Sequence, residues 1–282
     1  DVASDVAFVF MDLVDHGLAP LAWRLLDRWL QASGDYASLE VLRFFAVYRA
    51  LVRAKVARLR AEQPHLDAAE RSAALAQCAR QVRLARQLSQ RAEPPTLAIT
   101  FGLSGAGKTT IAGLLLERIG AVRVRSDLER KRLAGIGATA RMAGAALDSL
   151  YAPEATRRTY ARLADLARTI VAAGYPALVD AAFLKRAERD EFRALARALG
   201  ARFALVECAA APAVLRARVA QRSARDHDAS DATVAVLERQ LATHEPVAAD
   251  ERADAVRIDS DVDAVALEAR CAEVSAQLGT AR

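Results

Sequence analysis

Cysteine is scarce in the 282-residue sequence, and Cys78, Cys208 and Cys271 stand far apart. An odd count with no paired spacing argues against both a disulfide framework and a zinc site. The four histidines are equally scattered, so none belongs to a metal-ligand pattern. Lysine is rarer than the charge suggests: Lys55, Lys108, Lys131 and Lys185 are the only lysines among 40 basic residues, and the other 36 are arginine. Arginine richness beside heavy alanine use is a compositional bias, so the net charge of +5 is weak ground for a nucleic-acid partner. No uncharged stretch reaches the roughly 18 apolar residues of a membrane span. The segment 169–179, for example, is interrupted by Gly174 and Pro176, and no membrane partner is expected. There is neither an initiating methionine nor a basic leader with a cleavage site, so the expectation is a fragment of a longer cytoplasmic protein. What remains, 53% hydrophobic and 27% charged residues, suffices for one large or two modest domains.

The first 92 residues read as all helix. Val41, Phe45, Tyr48, Val52, Val56 and Leu59 step by three and four, which predicts one buried helical stripe, and 66–90 predicts a second long helix. Between 43 and 91 there are eleven basic and three acidic residues. Without interleaved aromatics or a groove-reading motif, that run reads as a solvated helical face rather than a phosphate-binding surface. Glu93-Pro94-Pro95 then forbids further helix, which sets an expected boundary between domains at 1–92 and 93–282.

Beyond the prolines, strand-like apolar runs at 96–101, 121–125, 177–179, 203–206 and 255–258 alternate with helical segments. Ile111, Leu114, Leu115 and Ile119 have the spacing of a helix covering a sheet, and Tyr160, Leu163, Leu166 and Ile170 repeat it. The expected fold class is α/β, a P-loop NTPase with a five-stranded parallel sheet covered by helices on both faces and preceded by an all-α segment.

The first of these strands runs into GLSGAGKT at 102–109, which satisfies GxxxxGK[ST] in its required strand, loop and helix context. Glycines let successive N–H groups face a phosphate chain, and the helix N-terminus adds its positive end. Gly102, Ser104, Gly105, Ala106, Gly107, Lys108, Thr109 and Thr110 are the candidate nucleotide-binding residues. Lys108 is expected at the β- and γ-phosphates of ATP and the Thr109 hydroxyl on Mg2+.

Asp127 and Asp180 both follow strands, where a parallel sheet places its ligands. Asp127 has Arg130 one turn later, a carboxylate to accept a hydroxyl proton and a guanidinium to hold charge; alternatively Asp127 caps its helix. Asp180 reads as a magnesium ligand or as the start of a turn. Arg216, Arg218, Arg222 and Arg225 approach the polar loop at 226–231, a pattern suited to a lid. Arg222 and Arg225, nearest that loop, are the candidates for transition-state charge, and Arg216 and Arg218 read as solvated.

With GLSGAGKT, RSDLERKR at 125–132, VDAAF at 179–183 and arginines at 222 and 225, residues 96–280 resemble the P-loop kinases of the gluconate kinase, chloramphenicol phosphotransferase, zeta toxin and polynucleotide kinase type. The resemblance implies a cradle strand at the sheet centre and, from polynucleotide kinase, a general base at Asp127 with an acceptor-side arginine at Arg130. DVASDVAFVFMDL at 1–13 resembles the stretch after the catalytic elements of aminoglycoside and choline phosphotransferases. That likeness implies a bacterial fusion whose first domain survives here only as its helical end, with its catalytic loop upstream. Asp1 and Asp5 are then structural candidates only.

The expected activity is transfer of the γ-phosphoryl group of Mg-ATP to a hydroxyl of a small molecule, with a nucleic-acid end the less favoured acceptor. The alternative is an NTPase module that regulates the attached phosphotransferase-like domain. The segment 134–155, with Phe183 and Arg186, is expected to set acceptor choice without naming it, and the oligomeric state is not legible.

Overall fold

The computed structural model describes residues 1–91, 94–137, 140, 142, 144, 149–223 and 232–279, with only the backbone of 222 and 223. The chain divides into two compact units, Asp1–Arg91 and Ala92–Arg282.

The first unit holds α1 (Val2–Asp15), α2 (Ala19–Ser33), α3 (Leu39–Ala61) and α4 (Ala68–Ser89). Asp67 and Glu70 form a reciprocal capping box at the start of α4. The stripe expected to be buried on α3 is not the buried one. Val41, Tyr48, Val56 and Leu59 are exposed, and Phe45 and Val52 are half-buried. The face turned inward carries Leu39, Leu42, Ala46, Ala50, Ala54, Ala57 and Ala61. The physical reason is close packing: α1 and α4 press small residues, Ala3, Ala7, Ala74 and Ala85, into the same interior, and short side chains let helix axes approach. The basic run is partly neutralised by α1, since Arg49, Arg53 and Arg80 face Asp5, Asp12 and Asp15.

The second unit is a five-stranded parallel sheet in the order β2-β3-β1-β4-β5, with β1 (Thr96–Phe101) at its centre. The other strands are β2 (Val122–Arg125), β3 (Ala177–Asp180), β4 (Arg202–Ala209) and β5 (Ala255–Asp259). β1 is buried along its whole length, as a strand covered on both faces must be. On one face α5 (Lys108–Ile119) lies over the central strands beside α11 (Ala264–Gly279). On the other lie α7 (Pro153–Ala172) and α8 (Arg186–Ala198). The stripe Tyr160, Leu163, Leu166 and Ile170 is buried as its spacing predicts. The short α6 (Ser126–Leu133) follows β2 directly, and α9 (Pro212–Ser223) and α10 (Val234–Thr243) flank the open end of the sheet.

Two ties fix that open end. The Thr100 hydroxyl donates to the Ala181 carbonyl at 2.7 Å and accepts from the Ala181 N–H at 3.1 Å, so the chain after β3 stays paired to β1. Gly102 N–H donates to the Ala182 carbonyl at 3.1 Å, which continues the tie into the glycine loop. Among the described residues no helix is long and apolar enough to cross a membrane.

Candidate active site

The loop between β1 and α5 owes its shape to its glycines. Gly105 and Gly107 have φ of 86° and 77°, which L side chains rarely adopt. A Cβ on Gly105 would stand 2.8 Å from the Leu215 carbonyl oxygen of α9, and one on Gly102 would stand 2.5 Å from the Cys208 carbonyl oxygen of β4. Neighbouring backbone therefore packs against the loop so closely that only glycine fits. Lys108 opens α5 and its Nζ donates to the Leu103 carbonyl at 2.9 Å, across the loop.

A cavity of about 370 Å³ opens over this loop. Lys108, Thr109 and Thr110 line it from the cradle, Asp127 and Arg130 from α6, and Asp180 from the end of β3. β2 and β3 pair with Arg125 opposite Asp180, so the strand ends themselves bring the two aspartates to one rim. Asp127 lies within the first turn of α6 and does not cap it, since the N-cap position is Arg125 and no side chain bonds there. Its side chain keeps 26% of its surface open toward the cavity but is recessed, and loss of hydration raises its proton affinity above the usual carboxylate range. Arg130 and Arg125 oppose that rise, Asp180 adds to it and Lys108 opposes it. Asp127 Oδ1 stands 3.9 Å from Arg130 Nη1, beyond hydrogen-bond reach.

Most of the remaining charge of RSDLERKR is structural. Glu129 is buried and pairs with Arg132 and with Arg162 of α7, and Lys131 is buried with Nζ on the Ala140 carbonyl. These contacts hold α6 in place, so that Asp127 and Arg130 are the pair left facing the cavity.

A profile of the AAA domain family matches residues 97–247, more than half of the chain and the whole of the cradle, both aspartates and α10. The chain belongs to the AAA domain family. Uncharacterized proteins of Mycobacterium tuberculosis and Mycobacterium bovis are each 31% identical to it over 241 residues, 84% of this chain and 46% of theirs. The chain thus spans about half the length of the curated relatives it matches. In fold, the AAA-family unit is similar to Kti12 of Chaetomium thermophilum, solved with ADP-AlF3, at 15% identity and a TM-score of 0.50, over 64% of this chain and 96% of that one. A gluconokinase from Sinorhizobium meliloti is 20% identical with a TM-score of 0.47, over 67% and 95% of the two chains. The fold of this AAA-family unit, a five-stranded parallel sheet covered by helices, is thus similar to that of Kti12.

Several cavity residues of the AAA-family unit escape sequence spacing. Tyr160 belongs to the buried stripe of α7, yet its hydroxyl accepts the Phe183 N–H at 3.1 Å and bonds Glu188, whose own proton affinity is raised by burial. Phe183, at φ 48°, is the non-glycine residue with positive φ among those described, and Tyr160 and Phe192 hold its ring edge-on. Gln240 of α10 reaches back 136 residues, its Oε1 accepting the Ser104 N–H of the cradle at 2.8 Å. Arg218, read from sequence as solvated, instead donates to the Gly105 carbonyl at 3.3 Å and to the Ser260 hydroxyl and carbonyl at 2.8 and 2.6 Å. It ties the cradle to the end of β5. Arg216 is exposed and pairs with Glu238 of α10 at 2.6 Å. The side chain of Arg222 and all of Arg225 lie outside the described residues. The signals that could have found Tyr160 and Arg218 are a hydroxyl set in an aliphatic stripe and an arginine aligned with the cradle face of its helix.

The donor set fits nucleotide and magnesium. Asp180 is buried, and its Oδ2 accepts no hydrogen bond among the described residues, with Arg125 Nε at 3.7 Å. A buried carboxylate oxygen left without a donor at the edge of a phosphate cradle suits a hard cation, and Thr109 lines the same cavity.

Proposed function

We propose that the second unit transfers the γ-phosphoryl group of Mg-ATP to a hydroxyl of a small molecule. The observation that carries this reading is that Asp127 and Arg130 bound the same cavity as the cradle, a carboxylate to take an acceptor proton beside a guanidinium to hold acceptor charge. The acceptor oxygen bonds to the γ-phosphorus as the bond to the β-phosphate bridging oxygen breaks, ADP departs, and the acceptor proton passes to Asp127. Lys108 binds the transferring phosphates, and Arg130 steadies charge on the acceptor side. Arg222 and Arg225 are the proposed lid arginines. Thr109 and Asp180 would hold magnesium, which when bound supplies compensation for the negative charge on the phosphate oxygens. The first unit is proposed as the helical end of a phosphotransferase-like domain, a reading supported by its likeness at residues 1–13.

Transfer of radiolabelled phosphate from ATP to sugars, antibiotics, nucleosides and 5′-hydroxyl oligonucleotides tests the reaction. Asp127→Asn keeps the side-chain shape but removes the basic oxygen, so ATP affinity should survive while transfer falls about 10²- to 10⁴-fold. Near-normal transfer in that variant would remove Asp127 from the reaction. Hydrolysis by the wild type with no acceptor in the panel would replace the kinase with a regulatory NTPase.

A further inference from the structure

Arg130 faces two cavities. Besides the nucleotide cavity it lines a second one of about 320 Å³ between α6 and α7. That space is walled mostly by apolar side chains such as Leu133, Ile136, Leu150 and Ala155, with the hydroxyls of Ser149 and Thr159, the latter donating to the Ala155 carbonyl at 2.8 Å; the charged groups lining it among the described residues are Arg130 and Arg158, with no carboxylate. Arg130 is itself more than nine-tenths buried, with 8% of its surface exposed, and its guanidinium lies 4.4 Å over the ring of Tyr151. Among the described residues its Nε makes no hydrogen bond, and its ion pair to Asp127 is longer than a hydrogen bond. A guanidinium taken out of water at this cost ordinarily meets a carboxylate or phosphate in a close fork. Among the described residues that charge comes from Asp127 at 3.9 Å.

We propose that the acceptor is an anionic hydroxy compound with an apolar body: its hydroxyl at Asp127, its anionic group at Arg130, and its apolar part in the cavity between α6 and α7. The proposal rests on the kinase reading for the fate of the hydroxyl. The spacing narrows the chemistry further. With Asp127 and Arg130 this near one another, a hydroxyl and an anionic group held close together, as in a 2- or 3-hydroxy acid, fit the pair best. The mostly apolar walls then favour a ring or short hydrocarbon chain over a polyol, because several hydroxyls placed there would lose water and find few partners beyond Ser149 and Thr159. An all-arginine set of charges biases the space toward anions before any close contact is made.

The probes are 3-phenyllactate and 3-hydroxyoctanoate, their neutral methyl amides, and glycerol, each tested with the whole chain for binding by calorimetry and for phosphoryl transfer from radiolabelled Mg-ATP. The acids should bind and be phosphorylated, and the amides and glycerol should do neither at matched concentration. Ala155→Trp fills the second cavity and should raise the acceptor KM by about tenfold or more while the ATP Kd stays unchanged. Leu133 is exposed, so Leu133→Asp tests the same wall with little risk to folding, and should weaken binding of the acids while the ATP Kd stays unchanged. Phosphorylation of glycerol or the amides as readily as the acids overturns the proposal and leaves the kinase reading standing. Binding of the acids without transfer to them overturns their role as acceptors, and if no acceptor of the wider panel is phosphorylated either, the kinase reading falls with it. Absence of both binding and transfer for the acids overturns the proposal, whatever else the protein phosphorylates.

Discussion

Replacing Arg189 with alanine should unfold the second unit more readily than any change on its surface. Arg189 is 1% exposed, and its guanidinium spends all of its donors inside the protein. Nε and Nη2 form a fork on Glu251 at 2.7 and 2.9 Å, Nη1 bonds the Phe183 and Glu245 carbonyls at 3.1 and 3.0 Å, and Nη2 also bonds the Pro246 carbonyl at 3.3 Å. Glu251 is fully buried, so the variant would leave a carboxylate without its cation and three carbonyls without donors. The hydrogen bonds from Arg189, with a smaller contribution from the Ala248 N–H, hold the Glu251 carboxyl down to about 2, from 4.5, against the opposing effect of burial. At about 1.4 kcal/mol per pH unit that gap corresponds to roughly 3 kcal/mol. Breaking one partner of a buried pair typically costs about 3–5 kcal/mol, in agreement. For a unit of this size the melting temperature should drop by about 6–20 °C. The pH dependence follows from the depressed value: the stabilisation is complete above 4.5 and disappears as pH falls through about 2. Urea denaturation of wild type and Arg189→Ala at a series of pH values from 7 to 2 should therefore show a gap that narrows with acid. A loss below about 1 kcal/mol at pH 7, or a gap that does not narrow, would refute the reasoning. Because Arg189 also grips the Phe183 carbonyl, the variant should loosen the chain just after Asp180 and lower nucleotide affinity under folded conditions.

Lys108→Ala should weaken ATP binding by about 10- to 100-fold, the value of one charge-assisted contact, and unchanged calorimetric affinity together with unchanged turnover would contradict the cradle. Gly102→Ala drives a Cβ to 2.5 Å from the Cys208 carbonyl oxygen, backbone against backbone, and should cost about 1–3 kcal/mol in urea melts with a larger proportional loss of nucleotide binding. Tyr160→Phe strips the acceptor from the buried Phe183 N–H and should destabilise by about 1–3 kcal/mol; a silent variant would show that the positive-φ turn is held by its rings alone. Asp127→Asn should raise the melting temperature of the ligand-free protein at neutral pH, because burial opposes its charge. With a folded value above 3.8, that penalty vanishes at pH below 3.8 and is complete only above the folded value, so the gain should shrink toward acid. An equal gain at pH 3 and pH 7 would show that the Asp127 charge is not responsible.

The cradle was legible because its geometry is local: eight consecutive residues between a strand and a helix carry the glycines, the lysine and the threonine that a phosphate loop needs, and no distant contact changes what they can do. The five strands and the apolar stripe of α7 were legible for a related reason, since burial on both faces of a sheet writes itself as apolar runs with helical spacing between them. Burial within the helical unit was not. Large apolar residues on α3 promised the inward face, but alanines occupy it, because helices that approach closely exclude large side chains and only packing decides which stripe is used. Asp127 and Asp180 could be placed at strand ends from sequence, yet it took the β2–β3 pairing to bring them to one rim. Arg218, Gln240 and Tyr160 reach the cavity from helices tens to more than a hundred residues away from the loop they support. Their convergence depends on how α7, α9 and α10 pack against the sheet, a nonlocal outcome that no spacing along the chain encodes.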